Sequence, residues 1–228
     1  MKIILSPAKT ISKTCDRFSS GLNFSEIEDF IYPEIIVYLT NEILKNVPEV
    51  LVSKDYCKAF YMYDGMCYKN IKREEFDECD LEYIREHLII ISALYGALKP
   101  FDLINPYRLD FLMKTKMGNL YNFWKDDIAK NILKDTDFIV NLASDEFSKT
   151  VKKYISENQI LDFEFYEKVD EKLKKHSTIS KKARGMMLNF MTKNKIENIE
   201  DIKKFDKDGY EFVEEMSLEN KFVFVKNS

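Results

Sequence analysis

The stretch Ile89–Phe111, IIISALYGALKPFDLINPYRLDF, decides how the rest of the chain is read. It opens on an apolar, β-branched run with polar sequence before it, the pattern of a strand buried on both faces. From Ser92 the run gives way to small and aromatic residues, then to Lys99-Pro100 and Asn105-Pro106. Each proline pushes its predecessor out of the helical region, so a long irregular segment is expected after the strand. Segments of that kind, at the carboxyl ends of strands, are where α/β proteins place ligand sites. Tyr95, Tyr107 and Arg108 are the side chains there with the reach to meet a ligand, and Asp102 and Asp110 are placed to orient the arginine. Packing and turn chemistry use the same residue types, with Arg108 in a structural ion pair.

Outward from this stretch, two more strand-to-loop junctions stand out. Residues 2–5 form a short buried strand that ends at Ser6-Pro7-Ala8-Lys9-Thr10, where Lys9 offers an ammonium. Without glycines this is no phosphate-cradling loop, and a solvated turn lysine is the readier reading. Phe138–Val140 forms a third strand, running into Asn141, Ser144 and Glu146, with a helix starting at Ser144. If the three ends share one edge, Lys9, Tyr95, Arg108, Asn141, Ser144 and Glu146 line a cleft that Lys182 and Arg184 close from a helix. Such a set suits an anionic ligand, with Glu146 or Tyr95 available for proton transfer.

The remaining segments follow by periodicity. Apolar spacing predicts helices across Ser25–Lys45, with Pro33 starting the second, then around Val50–Tyr63, Asp80–Glu86, Leu120–Leu133 (capped by Asn119), Ser180–Lys193 and Ile199–Phe205. Tyr63–Met66 reads as a turn. Gln159–Tyr166 alternates with period two and reads as a strand, and Tyr210–Val213 with Lys221–Val225 reads as a closing hairpin. No linker or repeat divides the chain, so one α/β domain over 1–228 is expected, a mixed sheet flanked by helices.

Composition narrows the function classes. The chain has 228 residues, 45% hydrophobic and 32% charged, with a net charge of −4. Global charge gives no reason to expect nucleic-acid binding, so any such site must be a local patch. One segment qualifies: Lys172, Lys174, Lys175, Lys181, Lys182 and Arg184 lie in a run without a single acid. It reads either as a solvated face or as a set of phosphate contacts, salt-sensitive and indifferent to base sequence. Cys15, Cys57, Cys67 and Cys79 form no CxxC pair, and His87 and His176 are isolated, so neither metal, cofactor nor disulfide scaffold is expected. Reduced cysteines and the lack of any apolar run of roughly 20 residues point to a cytoplasmic protein away from membranes. No nucleophile elbow or Walker loop is present.

Several motifs together resemble the YaaA family of peroxide stress response proteins: Ile4–Thr10 (ILSPAKT), Ile91–Phe111, Gly118–Trp124 (GNLYNFW), Val140–Lys149 (VNLASDEFSK), Lys181–Met187 (KKARGMM) and Phe205–Phe212 (FDKDGYEF). They run in order over nearly the whole chain. One departure stands out: many members carry Gly-Asp-Val-Tyr where this chain has Gly65-Met66-Cys67-Tyr68. The resemblance implies a compact α/β domain with a long cleft and a helix-hairpin-helix-like element in the C-terminal third. It also implies association with DNA, with the cations of a basic cleft on the phosphates, and a part in limiting damage from intracellular iron. With so few clustered His and Cys, that effect on iron is expected to be indirect. The alternative function is an enzyme acting on a small anionic, nucleotide- or base-like substrate in the cleft.

Overall fold

The computed structural model describes residues 1–12, 34–53, 55–170 and 172–227. Among these, the strands run in chain order as β1 (Lys2–Leu5), β2 (Cys57–Lys58), β3 (Leu88–Ser92), β4 (Gly96–Leu98), β5 (Leu103–Ile104), β6 (Ile139–Asn141), β7 (Ile160–Val169), β8 (Lys172–Lys174), β9 (Tyr210–Phe212) and β10 (Lys221–Lys226). The helices are α1 (Glu34–Asn46), α2 (Ala59–Met62), α3 (Met66–Lys69), α4 (Glu78–His87), α5 (Leu120–Trp124), α6 (Asp127–Leu133), α7 (Asp145–Lys152), α8 (Ser177–Lys193) and α9 (Ile199–Ile202). Eight of these strands make one sheet in the order β4-β3-β1-β6-β7-β10-β9, with β8 paired to β7, while β2 and β5 pair separately. The neighbours from β3 through β10 are parallel, and β4, β8 and β9 are antiparallel additions. This is the mixed α/β architecture expected, and the structure adds that its central pairs are parallel.

The buried strands are those the apolar runs predict. Every residue of β3 is buried, as are Ile3, Ile4 and Leu5 of β1, because helices cover both faces of a parallel sheet. In β7 the period-two alternation has its expected meaning. Phe163 and Phe165 point inward, in register with Phe222 and Phe224 of β10, and Phe205, Tyr210 and Phe190 close the ring cluster. Each such phenyl contributes about 1.5–3 kcal/mol of burial. One continuous core joins this cluster to the β1–β3–β6 centre. No helix among the described residues is long and apolar enough to cross a membrane.

Several segments differ from expectation. Val50–Tyr63 is not a helix: it holds a 3-10 turn, then β2, whose Cys57 and Lys58 pair with Ile104 and Leu103, and only then the single-turn α2. Burial in the small sheet overrides the helical spacing there. The helix expected over Leu120–Leu133 is two helices, because Lys125 sits at φ +45° between them. Trp124 is meanwhile held by its indole N–H to the Ala93 carbonyl at 2.9 Å. The strand at 159–166 continues to Val169 and folds back as β8, so the basic run begins on a hairpin. α8 starts at Ser177, three residues earlier than expected, and is followed by 194–198 and the four-residue α9. The helix-hairpin-helix-like element expected here does not stand out, since α9 is a single turn. α1 begins at Glu34, and the helix expected over 25–33, together with Pro33 and Cys15, lies outside the described residues.

α8 is bolted down at its C-terminal end. Asp80 of α4 is buried and receives the ammonium groups of Lys193 and Lys195, while the Tyr83 hydroxyl donates to the Ile196 carbonyl at 2.7 Å. Burial alone would raise the Asp80 pKa, but the two lysines and the Asp77 amide outweigh it and hold the carboxyl at about 2. A folded value below the unfolded one of about 3.9 gives stabilisation that is complete above that pH and disappears as pH falls through about 2. Asp80→Asn should therefore cost on the order of 2 kcal/mol in urea denaturation at neutral pH, and much less in acid. An equal loss at both pH values would contradict this account of the carboxylate.

Candidate functional site

The order of the sheet places a crevice before any side chain is considered. The chain leaves β1 toward β3 on one side and leaves β6 toward β7 on the other. Loops that diverge from adjacent parallel strands open a gap at their carboxyl ends, the usual ligand position in such folds. The two ends are tied across the gap. The Ser144 N–H donates to the Ser6 hydroxyl at 2.8 Å, and the two hydroxyl oxygens lie 3.2 Å apart. The Tyr68 hydroxyl donates to the Ser6 carbonyl at 3.0 Å, which pins the β1 loop to α3.

Two glycines allow the backbones to close on this point. A Cβ at Gly65 would stand 2.7 Å from the Ala8 Cβ, and one at Gly185 would stand 2.1 Å from the Cys67 carbonyl oxygen. Only a residue without a side chain lets α3 meet the β1 loop and α8 meet α3 at those distances. The close approach at Gly185 brings its neighbour Arg184 to the crevice.

The result is a cavity of about 290 Å³ whose floor includes Met66, Cys67, Tyr68, Leu142 and Phe147. Its charged groups are Lys9, Lys181 and Arg184 against Asp110 and Glu146. A neighbouring cavity of about 320 Å³ shares Ser144, Lys181 and Arg184 and adds Asn141, Asp162 and Glu164. Of the residues chosen from sequence, Lys9, Ser144, Glu146 and Arg184 therefore meet at one cavity, and Asn141 lies in the adjoining one. Lys9 is 3.1 Å from the Asp110 carboxylate, and the Glu146 carboxylate accepts from the Leu112 N–H at 3.4 Å. Asn141 is committed to structure, donating to Asp162 at 2.7 Å and accepting from the Ala143 N–H at 2.9 Å.

Tyr95, Arg108 and Lys182 line neither cavity. The Tyr95 hydroxyl accepts from the Asn105 N–H at 3.2 Å, and burial raises its pKa above the ordinary phenol range. Arg108 is exposed beside a shallow groove it shares with Lys9, Tyr63, Tyr107 and Asp110. Behind that groove runs a chain of buried hydroxyls, Tyr63 to Tyr107 at 3.0 Å and Tyr107 to Ser92 at 2.7 Å. Burial pushes the Tyr107 phenol up to about 12. Lys182 is exposed on α8, one residue round from Lys181. Of the other basic-run residues, Lys172 and Lys174 stand exposed on β8, whereas Lys175 pairs with Glu164 at 3.0 Å and lies over the Tyr166 ring.

Sequence reasoning passes over Ser6, Met66, Cys67 and Asp110 as cavity residues. It also places Lys181 only in the basic run, although the i,i+3 spacing of Lys181 and Arg184 sets them on one helical face. Met66, with Leu142 and Phe147, gives the cavity an apolar part of its lining.

Arg184 holds the unusual charge. Its Nε is buried without a hydrogen-bond partner, and among the described residues its guanidinium forms no ion pair. Burial lowers its pKa from the usual guanidinium range, opposed by Cys67, Asp145 and Asp162 at longer reach. No group of three or more His, Cys, Asp or Glu able to hold a metal ion occurs among the described residues.

Cys67 is partly exposed, yet desolvation of its thiol pushes the pKa up to about 12, despite Arg184 and Lys181 nearby. The thiolate is the reactive form, so this sulfur is chemically quiet at neutral pH. Iodoacetamide at pH 8 should label exposed Cys79 well before Cys67, read by peptide mass spectrometry. Labelling of Cys67 as fast as Cys79 would overturn the protonated-thiol assignment.

The family model described as "Peroxide stress protein YaaA" matches residues 1–216. The chain is similar to a UPF0246 protein of Fusobacterium nucleatum, 36% identical over 250 aligned positions that cover 100% of both chains. It is also similar to one of Clostridioides difficile, 36% identical and covering 99% of this chain and 100% of the other. A third, from Finegoldia magna, is 44% identical over 173 positions, 74% of this chain and 69% of the relative. The chain thus belongs to the family of the peroxide stress protein YaaA.

Proposed function

We propose that this chain is a cytoplasmic peroxide-stress protein that grips nucleic-acid backbone through the β8 hairpin and the start of α8, and so limits iron-dependent oxidative damage to DNA. The observation that carries the reading is the acid-free basic run. Lys172, Lys174, Lys181 and Lys182 from it are all exposed on one hairpin-and-helix unit. The α8 N-terminus lies between them, and its dipole adds a partial positive charge. Exposed lysines on a hairpin reach phosphates and do not read base edges, so contact would be indifferent to sequence. The net charge of −4 confines binding to this patch and makes it weak at physiological salt.

A second reading, favoured by the buried and unpartnered Nε of Arg184, is a small anionic ligand in the cavity, bound or transformed there. A cavity of about 290 Å³ is of small-molecule size. The two readings use different atoms and are compatible.

Fluorescence anisotropy with a short labelled duplex, repeated at several salt concentrations, tests the first reading. Replacing Lys181 and Lys182 with alanine should weaken binding equally for unrelated sequences. It should also flatten the plot of log K against log salt by about 0.9 for each phosphate that the variant no longer neutralises. Affinity and slope unchanged in the double variant would remove the β8–α8 face as the binding surface.

A further inference from the structure

We propose that the cavity between the ends of β1 and β6 binds a phosphomonoester with an apolar body, its phosphate held by Arg184, Lys181 and Ser144. The inference rests on the small-ligand reading and narrows it to a chemical class; it does not depend on DNA contact.

Three observations carry it. The first is charge balance. Lys9 has its carboxylate in Asp110, and in the adjoining cavity Lys152 and Lys175 have theirs in Asp162, at 2.6 Å, and Glu164. Among the described residues, Arg184 and Lys181 line both cavities without an ion-pair partner; Lys221, which lines only the adjoining one, also has none. Two cations free of ion pairs on one helical face suit the two charges of a phosphate, and a guanidinium fork matches its oxygens two at a time, with Glu146 the carboxylate of this cavity left without a cation among the described residues.

The second is the buried, unpartnered Nε of Arg184. A buried donor left without an acceptor opposes folding, a cost that an anion in the cavity would remove. Ser144 adds a hydroxyl that makes no cap bond to its own helix, since it faces Ser6 instead, and α7 begins there.

The third is the floor. Met66, Leu142 and Phe147 offer apolar contact beside the cations, which inorganic phosphate alone would leave empty. The acids Glu146, two residues past Ser144 on α7, and Asp110, in the loop after Arg108, would repel a second anionic group while accepting hydrogen bonds from a donor on the ligand body. The arrangement therefore selects one phosphate and a ring-like remainder over a polyanion.

Isothermal titration calorimetry of the full chain with phenyl phosphate, inorganic phosphate and benzoate at low salt tests this. Phenyl phosphate should bind about tenfold more tightly than either of the others. Arg184→Met should weaken it by about tenfold or more, and Lys204→Ala, a surface lysine paired with Asp201, should leave it unchanged. If the Met variant fails a thermal-melt check, Arg184→Lys keeps the charge without the fork and should lower affinity while retaining the fold. Benzoate binding as tightly as phenyl phosphate would overturn the phosphate assignment and spare the small-anion reading. No binding of any probe would remove both. Unchanged affinity in the Arg184 variants would place the ligand elsewhere and overturn the proposal.

Discussion

The site depends on the approach of α8 to α3 at Gly185, where a single added carbon would collide with the Cys67 carbonyl. Backbone-to-backbone contact of this kind leaves no slack, because backbone cannot swing aside as a flexible side chain would. Gly65 repeats the device one layer on, against Ala8. Together they stack α8 on α3 and α3 on the β1 loop, and that stack places Arg184 beside the Ser6–Ser144 tie. The Asp80–Lys193–Lys195 cluster and the Tyr83 hydroxyl fix the far end of α8, so the helix is held at both its middle and its end.

The electrostatics then follow from geometry. Most charges around the crevice are matched locally: Lys9 with Asp110, Lys152 with Asp162, Lys175 with Glu164. Arg184 is the buried exception, drawn partly out of water by the glycine contact yet given no carboxylate among the described residues, while its unpaired neighbour Lys181 stays exposed. A cation in that position is costly to maintain without a role, since buried charge without a partner opposes folding. On the outer face, the lysines of β8 and the first turns of α8 remain in water, where they cost little and interact only through a screened field. A partly buried cation on the inner side and a hydrated basic face on the outer side are thus two consequences of one helix and the hairpin that leads into it.

Much of this is legible in the sequence, and the failures have physical causes. The all-apolar run of β3 and the alternation of β7 reflect burial on both faces and on one face, and both patterns survive into the structure. Ser144 at the start of α7 and Asn119 capping α5 are equally readable from residue type. Lys125 is not. Nothing in its neighbourhood announces a positive φ, so the helix over 120–133 reads as continuous. β8 is hidden because its residues are exposed lysines and a leucine, paired with β7 through backbone alone. Choosing Lys182 over Lys181 for the cleft is an error of helical phase. Tyr95 and Arg108 are reasonable as strand-end residues, but β3 lies one strand away from the β1–β6 gap, and their segment turns first into β4 and β5 and meets the cavity only at Asp110. Ser6 and Cys67 carry no signal of their own; only the glycine contacts and the strand order make them neighbours.

Hydrogen exchange on a Gly185→Ala variant tests the central claim most directly. If the glycine contact builds the site, protection should fall in α3 and in the stretch of α8 around Arg184, while the amides of β1, β3 and β6 stay protected as in the unaltered chain. Unchanged protection at α3 and α8 would contradict the account, since the added carbon would then have been accommodated without moving the helix that carries Arg184.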